Sequence, residues 1–192
     1  MSRDSVVRRS VPKPWRHALI FLTLGFPAVK AMGSGNRVRI RGASEQDIVS
    51  ICRIMLSTDP YVTLGYTEDL CYDVVLSGLE EGRVGVAEYG GRVVGFVVFR
   101  VFDGFPLGGY IRAVAVDERF RGMGIGRALM SYAEERIFRY RRNVFLLVSS
   151  FNYGAIRFYR TLGYEPVGEI RDAIVDGLSE YIFRKRRGPN HA

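Results

Sequence analysis

A glycine-rich run at residues 121–126, Arg-Gly-Met-Gly-Ile-Gly, limits what this chain can fold into more than any other feature. Residues 114–116, Val-Ala-Val, read as the end of a strand before it, and residues 125–137 have the spacing of a helix after it. Because glycine has no side chain, the backbone is exposed where that helix begins. Because free N–H groups and the positive end of the helix dipole meet there, the run predicts a site for phosphate.

The spacing of the glycines separates this run from a dinucleotide-binding turn. That turn needs G-x-G-x-x-G, and counting from Gly122 or from Gly124 places Arg127 or Leu129 at the third glycine. A tight strand-to-helix turn without a ligand is the structural alternative. The Arg that opens the loop and the flanking elements favour the phosphate site.

The net charge of +8 on 192 residues lies at the two ends of the chain. Residues 1–36 carry +5, residues 184–192 carry +4, and residues 37–183 carry −1. We therefore expect solvated basic tails on a near-neutral body, and no nucleic-acid partner. A tail-driven, ribosome-associated protein is the competing hypothesis from another class.

The body of the chain lacks two residue types on which many active sites depend. Lysine occurs only at positions 13, 30 and 185, and histidine only at positions 17 and 191. This excludes a phosphate-loop lysine, a Schiff-base lysine, a Ser–His–Asp triad and a histidine metal cluster from the body. We expect no metal.

Cys52 and Cys71 are the two cysteines of the chain, and they form no C-x-x-C motif. This usage predicts two buried thiols in a reducing, cytoplasmic compartment rather than a disulfide. A reactive thiol is the alternative.

Residues 1–36 differ from the remainder, and we expect them to lie outside the fold. Gly25 and Pro27 interrupt an apolar stretch at residues 18–29, which is shorter than the roughly 20 residues that span a bilayer. We expect no membrane span. A secretory-signal-like segment, a surface or disordered extension and a translation start at Met32 are three open interpretations.

From residue 37 the pattern predicts β-α-α-β-β-β-α-β-α-β-β, a mixed α/β fold with a mostly antiparallel sheet and helices on both faces. The almost continuously apolar strand 93–102 predicts cover on both of its faces. The helices are predicted from Ser44, over 68–79, after the glycine run and over 153–162; the strands are predicted at 38–41, 84–89, 93–102, 110–116, 143–149, 165–175 and 181–186.

Two motifs within residues 37–186 resemble the GCN5-related N-acetyltransferase (GNAT) superfamily. The first is Arg121-x-x-Gly124-x-Gly126, and the second is Asn-x-x-Ala-x-x-Phe-Tyr-x-x-x-Gly-Tyr at residues 152–164. They lie about 30 residues apart in the expected strand–helix order. The resemblance implies an acetyltransferase domain at 37–186, followed by a tail at 187–192.

The resemblance also implies acetyl-CoA as donor and a primary amine as acceptor. Backbone groups of one strand would pair with the pantetheine and polarise the thioester carbonyl, and backbone amides of the glycine loop would cradle the pyrophosphate. The implied cofactor-binding residues are Val114, Ala115, Val116, Arg121, Gly122, Met123, Gly124, Ile125, Gly126, Arg127 and Asn152. An N-cap role would equally explain Asn152.

Tyr159 is the catalytic residue that the resemblance implies. Its phenol, with an ordinary pKa near 10, would protonate the departing CoA thiolate after direct attack through a tetrahedral intermediate. A core aromatic in a short helix is the structural alternative.

The general base is not evident from the sequence. Bacterial ribosomal-type N-terminal acetyltransferases, which the second motif resembles, carry a Glu at the position of Leu147. Glu88, Asp103, a water or a backbone carbonyl are the candidates. Arg112 would bind an acceptor carboxylate or face solvent.

The acceptor is expected to be a peptide N-terminus or a small-molecule amine. The resemblance implies that the loop between the first two helices and the connection between the last two strands set the acceptor. Here these are residues 59–67, with Tyr61, Leu64 and Tyr66, and residues 172–180, and both segments mix acids with apolar side chains. A non-catalytic acetyl-CoA-binding sensor module is the alternative function, and a homodimer is left open.

Overall fold

The computed structural model describes residues 37–105 and 107–188. The predicted N-terminal extension at 1–36 lies outside the described residues. The strands are β1 (Arg39–Gly42), β2 (Val84–Tyr89), β3 (Arg92–Phe105), β4 (Gly108–Val116), β5 (Asn143–Ser149), β6 (Glu165–Ile170) and β7 (Glu180–Arg186), and the helices are α1 (Ile48–Met55), α2 (Glu68–Glu80), α3 (Ile125–Phe138) and α4 (Tyr153–Thr161).

The strands form one seven-stranded sheet in the order β1-β2-β3-β4-β5-β7-β6. Neighbouring strands are antiparallel, except that β4 and β5 run parallel across the connection that contains α3. The predicted fold class and element order are confirmed. Within the described residues, β4 pairs with β5 only at Gly109–Ile111, so the two strands diverge beyond that point.

Helices cover both faces of this sheet, as the apolar pattern of β3 predicts. Phe96 and Val98 of β3 belong to a buried cluster with α1 and α2, whereas Val97 and Phe99 belong to one with α3. The alternation follows from the two-residue period of a strand. Each fully buried aliphatic or aromatic side chain of this kind stabilises the fold by about 1.5–3 kcal/mol.

The regular spacing of α3 places one apolar stripe against the sheet. Ile125, Leu129, Ala133 and Ile137 follow each other at steps of four, and all four are buried. The first turn of α3 is thereby held in a fixed position at the end of β4. That position determines where the glycine loop lies.

The prediction of two separate thiols is wrong, because Cys52 of α1 and Cys71 of α2 form a disulfide, with their Cα atoms 5.7 Å apart. Both cysteines are buried. Their separation of 19 residues carries no signal of contact. Contact arises because α1 and α2 pack side by side on the same face of the sheet.

Two predicted strands differ from the structure by three residues or more at one end. Strand β3 continues to Phe105, three residues beyond the predicted end, because it pairs with β4 up to the turn. Strand β6 ends at Ile170 rather than at residue 175, where its ladder with β7 stops. Arg187, predicted to begin the tail, donates hydrogen bonds to the carbonyl oxygens of Arg142 and Phe138, both at 2.9 Å.

Candidate active site

The divergence of β4 from β5 opens a cavity with a volume of about 810 Å³. It extends from the glycine loop before α3, along β4, to the loop between α1 and α2 and the start of β7. Residues of α4 and of two further regions line it. We name the glycine loop, the start of α3 and residues 114–116 the donor half, and residues 59–66, 110–112, 147–149 and 174–180 the acceptor half.

The glycine loop has the backbone conformation that its sequence predicts. Gly122 and Gly124 have φ values of 79° and 76°, in the left-handed region that favours glycine. A Cβ atom at either position would meet no atom within 4 Å, because both face open space. Gly124 caps α3, so the next amide groups have no acceptor within the helix and point towards the cavity end of its axis.

Gly126 has a different steric role in the same loop. A Cβ atom there would lie 3.2 Å from Cζ of Phe158, which belongs to α4. The glycine therefore allows the first turn of α3 to pack against α4. This contact brings the two sequence motifs, which are about 30 residues apart in the chain, to the same cavity.

The backbone of β4 carries polar groups that β5 leaves unpaired. The amide of Val114 donates to the hydroxyl oxygen of Tyr61 at 3.0 Å, and that hydroxyl donates to the Val114 carbonyl at 3.2 Å. A tyrosine side chain thus takes the two hydrogen bonds that an added strand would make. The Val116 carbonyl, further along the edge, accepts from Nε of Arg121 at 3.4 Å.

Tyr159 lies on α4 and lines the cavity, with 8% of its surface exposed. Its ring packs against Phe158, Tyr164 and Phe183, with centroids 5.4, 5.9 and 6.5 Å away. Burial, and to a lesser degree the nearby phenol of Tyr110, raises the pKa of Tyr159 above its ordinary value. The side chain is therefore both a core aromatic and a protonated acid at neutral pH.

Asn152 acts as the N-cap of α4, since its Oδ1 accepts from the amide of Ala155 at 3.0 Å. It also lines the cavity. The remaining residues of the implied cofactor set line the cavity too, with one exception. Met123 does not, and 47% of its surface is exposed.

The acceptor half gathers polar groups from segments far apart in the chain. Arg112 of β4 is exposed and lines the cavity, with Tyr66 and Tyr110 nearby. Burial raises the pKa of Tyr110 to about 12 and also raises that of Tyr66. Ser149 and Glu180, opposite each other on β5 and β7, complete this half and are both buried.

The two carboxylates predicted as candidate bases lie on different strands of the sheet. Glu88 lies on β2, accepts from Nε of Arg41 at 2.9 Å, and does not line the cavity, so its candidacy is wrong. Asp103 belongs to strand β3, and its side chain lies outside the described part of the structure. Leu147 lines the cavity without a titratable group.

Sequence reasoning placed Tyr61 and Glu180 in the two acceptor segments but assigned neither residue a role. Tyr61 lies within the predicted acceptor loop, but nothing in its spacing indicates a bond to a strand that begins 47 residues later. Glu180 stands at the end of the other predicted loop. Its one available signal is position, since it starts a strand whose partner β5 leads to the second motif.

Residues 37–105 and 107–188 contain neither a cluster of metal-ligating side chains nor a helix of membrane-spanning length and hydropathy. This part of the chain has no group of three or more His, Cys, Asp or Glu side chains that could hold a metal ion. Every helix in it is too short or too polar to cross a membrane.

Relatives in two archaea resemble most of this chain. It is 30% identical over 163 residues to an N-alpha-acetyltransferase of Sulfurisphaera tokodaii, covering 78% of this chain and 93% of that protein. It is 31% identical over 158 residues to an N-alpha-acetyltransferase of Sulfolobus acidocaldarius, covering 76% and 90%.

Solved structures have the same fold. Ard1 from Thermoplasma volcanium superposes with a TM-score of 0.66 at 31% identity, covering 78% of this chain and 97% of that one. Arabidopsis thaliana Naa50, solved with the bisubstrate analogue CoA-Ac-MVNAL, has a TM-score of 0.64 at 20% identity, covering 78% and 99%. The sequence profile of the acetyltransferase (GNAT) family matches residues 49–164. The chain therefore belongs to the GNAT family of acetyltransferases.

Proposed function

We propose that this protein is an acetyl-CoA-dependent N-acetyltransferase that moves the acetyl group directly to the α-amine of a peptide. The observation that carries the proposal is the single cavity that joins the glycine loop, the unpaired edge of β4 and Tyr159. A phosphate cradle, a polarising backbone and an acid lie in one opening. Direct acyl transfer needs these three parts together with a base.

The residues of the donor half fit acetyl-CoA. Open space above Gly122 and Gly124 leaves room for a pyrophosphate, and the first amides of α3 supply its donors. The unpaired edge of β4 can accept the amides of pantetheine as an added strand, once the Tyr61 hydroxyl leaves Val114. Arg121 and Arg127 add positive charge where lysine is lacking.

Two groups of this chain would act on the reacting thioester. The Val114 amide, which already donates to a phenolic oxygen, would donate to the thioester carbonyl and stabilise the negative charge of the tetrahedral intermediate. Tyr159 would protonate the leaving thiolate. Its raised pKa keeps the phenol protonated at neutral pH, so the proton is available for the departing sulfur.

Relatives support a peptide α-amine as acceptor over a small-molecule amine. Two archaeal relatives at 30% and 31% identity are N-alpha-acetyltransferases. The acceptor half is open at its mouth, where Arg112 and Ile174 are exposed, as an extended chain requires. Residues 37–186 would form the whole catalytic domain, without a contribution from 1–36 or from the end of the tail.

Release of free thiol from acetyl-CoA tests the proposal. The acceptors are a peptide with a free α-amine and the same peptide with that amine blocked and one lysine added. Turnover with the first peptide alone supports the proposal. Binding of acetyl-CoA without turnover on a panel of peptides and small amines would favour the sensor module instead.

A matched pair of glycine variants tests the phosphate cradle. Gly124 and Gly90 both have positive φ, 76° and 57°, and a Cβ atom on either would meet nothing within 4 Å. Alanine therefore costs both sites a similar backbone strain of about 1 kcal/mol. We expect Gly124→Ala to weaken acetyl-CoA binding at least about tenfold, measured by calorimetry, because its methyl group enters the cradle. Gly90→Ala should bind normally, and equal affinities would contradict the cradle.

A further inference from the structure

The acceptor half contains a buried carboxylate that the proposed mechanism does not yet use. Glu180 begins β7 and lines the cavity, although only 4% of its surface is exposed. A carboxylate out of water is costly unless hydrogen bonds or a cation compensate it. The groups that surround the carboxylate therefore indicate what kind of ligand the site binds.

The carboxylate of Glu180 has a single side-chain hydrogen bond within the described part of the chain. The hydroxyl of Ser149 donates to its Oε1 at 2.5 Å. The two residues are directly opposite in the antiparallel pairing of β5 and β7, so both side chains point to the same face. Ser149 is itself 1% exposed, which holds the hydroxyl in place.

No described cation pairs with this carboxylate. The seven ion pairs within residues 37–105 and 107–188 leave Glu180 out. The titratable groups that interact with it are Tyr66 from the α1–α2 loop and Tyr110 from β4, and the guanidinium of Arg112 lies near both tyrosines. Both tyrosines are neutral at physiological pH, and Arg112 is exposed at the mouth.

We propose that Glu180 is the residue that receives the acceptor amine: its carboxylate binds the α-ammonium group and removes one proton before attack, with Ser149 as its positioning residue. This inference rests on the proposed function. A buried, singly bonded carboxylate on the cavity wall is complementary to a small cation that arrives with the substrate. The nearby rings of Tyr66 and Tyr110 would keep the pair shielded from water.

The protons balance as follows. Glu180 takes one proton from the ammonium group and later releases it to water. The amine lone pair forms the N–C bond to the acetyl carbon, the C–S bond breaks, and the leaving thiolate takes the proton of Tyr159. The second proton lost by the nitrogen returns to the tyrosinate, and the third stays on the amide product.

Burial adjusts Glu180 to this task. Burial raises its pKa above the ordinary value, and the hydrogen bond from Ser149 lowers the pKa in part. The carboxyl group is thereby closer in proton affinity to an α-amine, whose pKa is about 8. Proton transfer between groups of similar pKa is the condition that favours general base catalysis.

Glu180→Gln tests the role of the carboxylate without changing the size of the side chain. We expect kcat/KM at pH 7 to fall about 10²–10⁴-fold, with partial recovery above pH 8, where the free amine forms without a base. Acetyl-CoA affinity should be unchanged. Glu169→Gln, an exposed carboxylate on the neighbouring strand β6, serves as the control with wild-type kinetics.

Ser149→Ala supplies the readout that a merely structural role would not change. Loss of the hydrogen bond raises the pKa of Glu180, so the acidic limb of the kcat/KM profile should move to higher pH with the same peptide. Carbon-13 NMR of labelled glutamate in the protein without substrates should show the same increase in the pKa of Glu180.

Two failures can be told apart. Wild-type protein that neither binds acetyl-CoA nor releases thiol would remove the proposed function. Wild-type turnover together with a Glu180→Gln enzyme that keeps kcat/KM and its pH profile would overturn the role of Glu180 alone. An unshifted acidic limb in a folded Ser149→Ala protein would also overturn it.

Discussion

The donor half and the acceptor half of the cavity are formed by different kinds of chemical groups. The donor half is nearly continuous in the chain, running from Val114 to Arg127, and offers mainly backbone groups. The acceptor half draws side chains from four separate segments, among them Tyr61 and Glu180. Under the proposed function, backbone groups would bind a cofactor that many enzymes share, whereas side chains that can vary would bind the acceptor.

This difference explains why the donor half can be predicted from the sequence. Backbone amides become free at a helix start wherever glycines precede it, so spacing alone predicts the phosphate cradle. The pKa and the hydrogen bonding of a carboxylate such as Glu180 depend on its burial and on Ser149 of the neighbouring strand. Residues close to Glu180 in the sequence specify neither.

Among the variants that compare the two halves, Tyr159→Phe should have the largest effect. Removal of the acid leaves the thiolate to depart unprotonated, and we expect kcat to fall about 10²-fold or more while acetyl-CoA affinity stays unchanged. Steady-state kinetics and calorimetry measure the two quantities.

Tyr153→Phe is the matched control, because Tyr153 lies on the same helix with 68% of its surface exposed and does not line the cavity. Full kcat in Tyr159→Phe across the pH range would show that Tyr159 is only a core aromatic. In that case the acid would have to come from the acceptor half.

Removal of the disulfide should affect the acceptor half more than the donor half. The Cys52–Cys71 bond closes a loop with a separation of 19 residues, and its loss should lower the free energy of unfolding by about 3 kcal/mol. That loop contains Tyr61 and Tyr66, so the double variant Cys52→Ala/Cys71→Ala should raise the KM of the peptide more than that of acetyl-CoA.

Urea unfolding and two-substrate kinetics measure this prediction. Wild-type protein treated with a reductant is the control and should match the double variant in stability. Equal losses for both substrates would show that α1 and α2 support the donor half as well.

Tyr61→Phe should have the smallest effect. Without the hydroxyl, acetyl-CoA no longer has to displace two hydrogen bonds from Val114, so we expect about fivefold tighter binding, equivalent to about 1 kcal/mol. Tyr72→Phe on α2 is the control, with a side chain outside the cavity. Weaker binding in Tyr61→Phe would indicate that the hydroxyl contacts the cofactor itself.

Particular residues show how much the sequence could predict. The stripe Ile125 to Ile137, the cap at Asn152 and the covered strand β3 follow from local periodicity, and each is found as predicted. The unpaired thiols and the candidacy of Glu88 were wrong. Both depended on contacts between residues far apart, which no local pattern specifies.

The sequence by itself determined the mixed α/β order of elements, the glycine loop and the short helix that carries Tyr159, because these depend on hydrophobic period, glycine conformation and helix capping within short stretches. The tertiary structure alone decided that β4 diverges from β5, that Tyr61 occupies the free edge, and that Ser149 holds a buried Glu180. Burial and cross-strand register create these features. Both are properties of the packed sheet, since they arise only when distant segments come together.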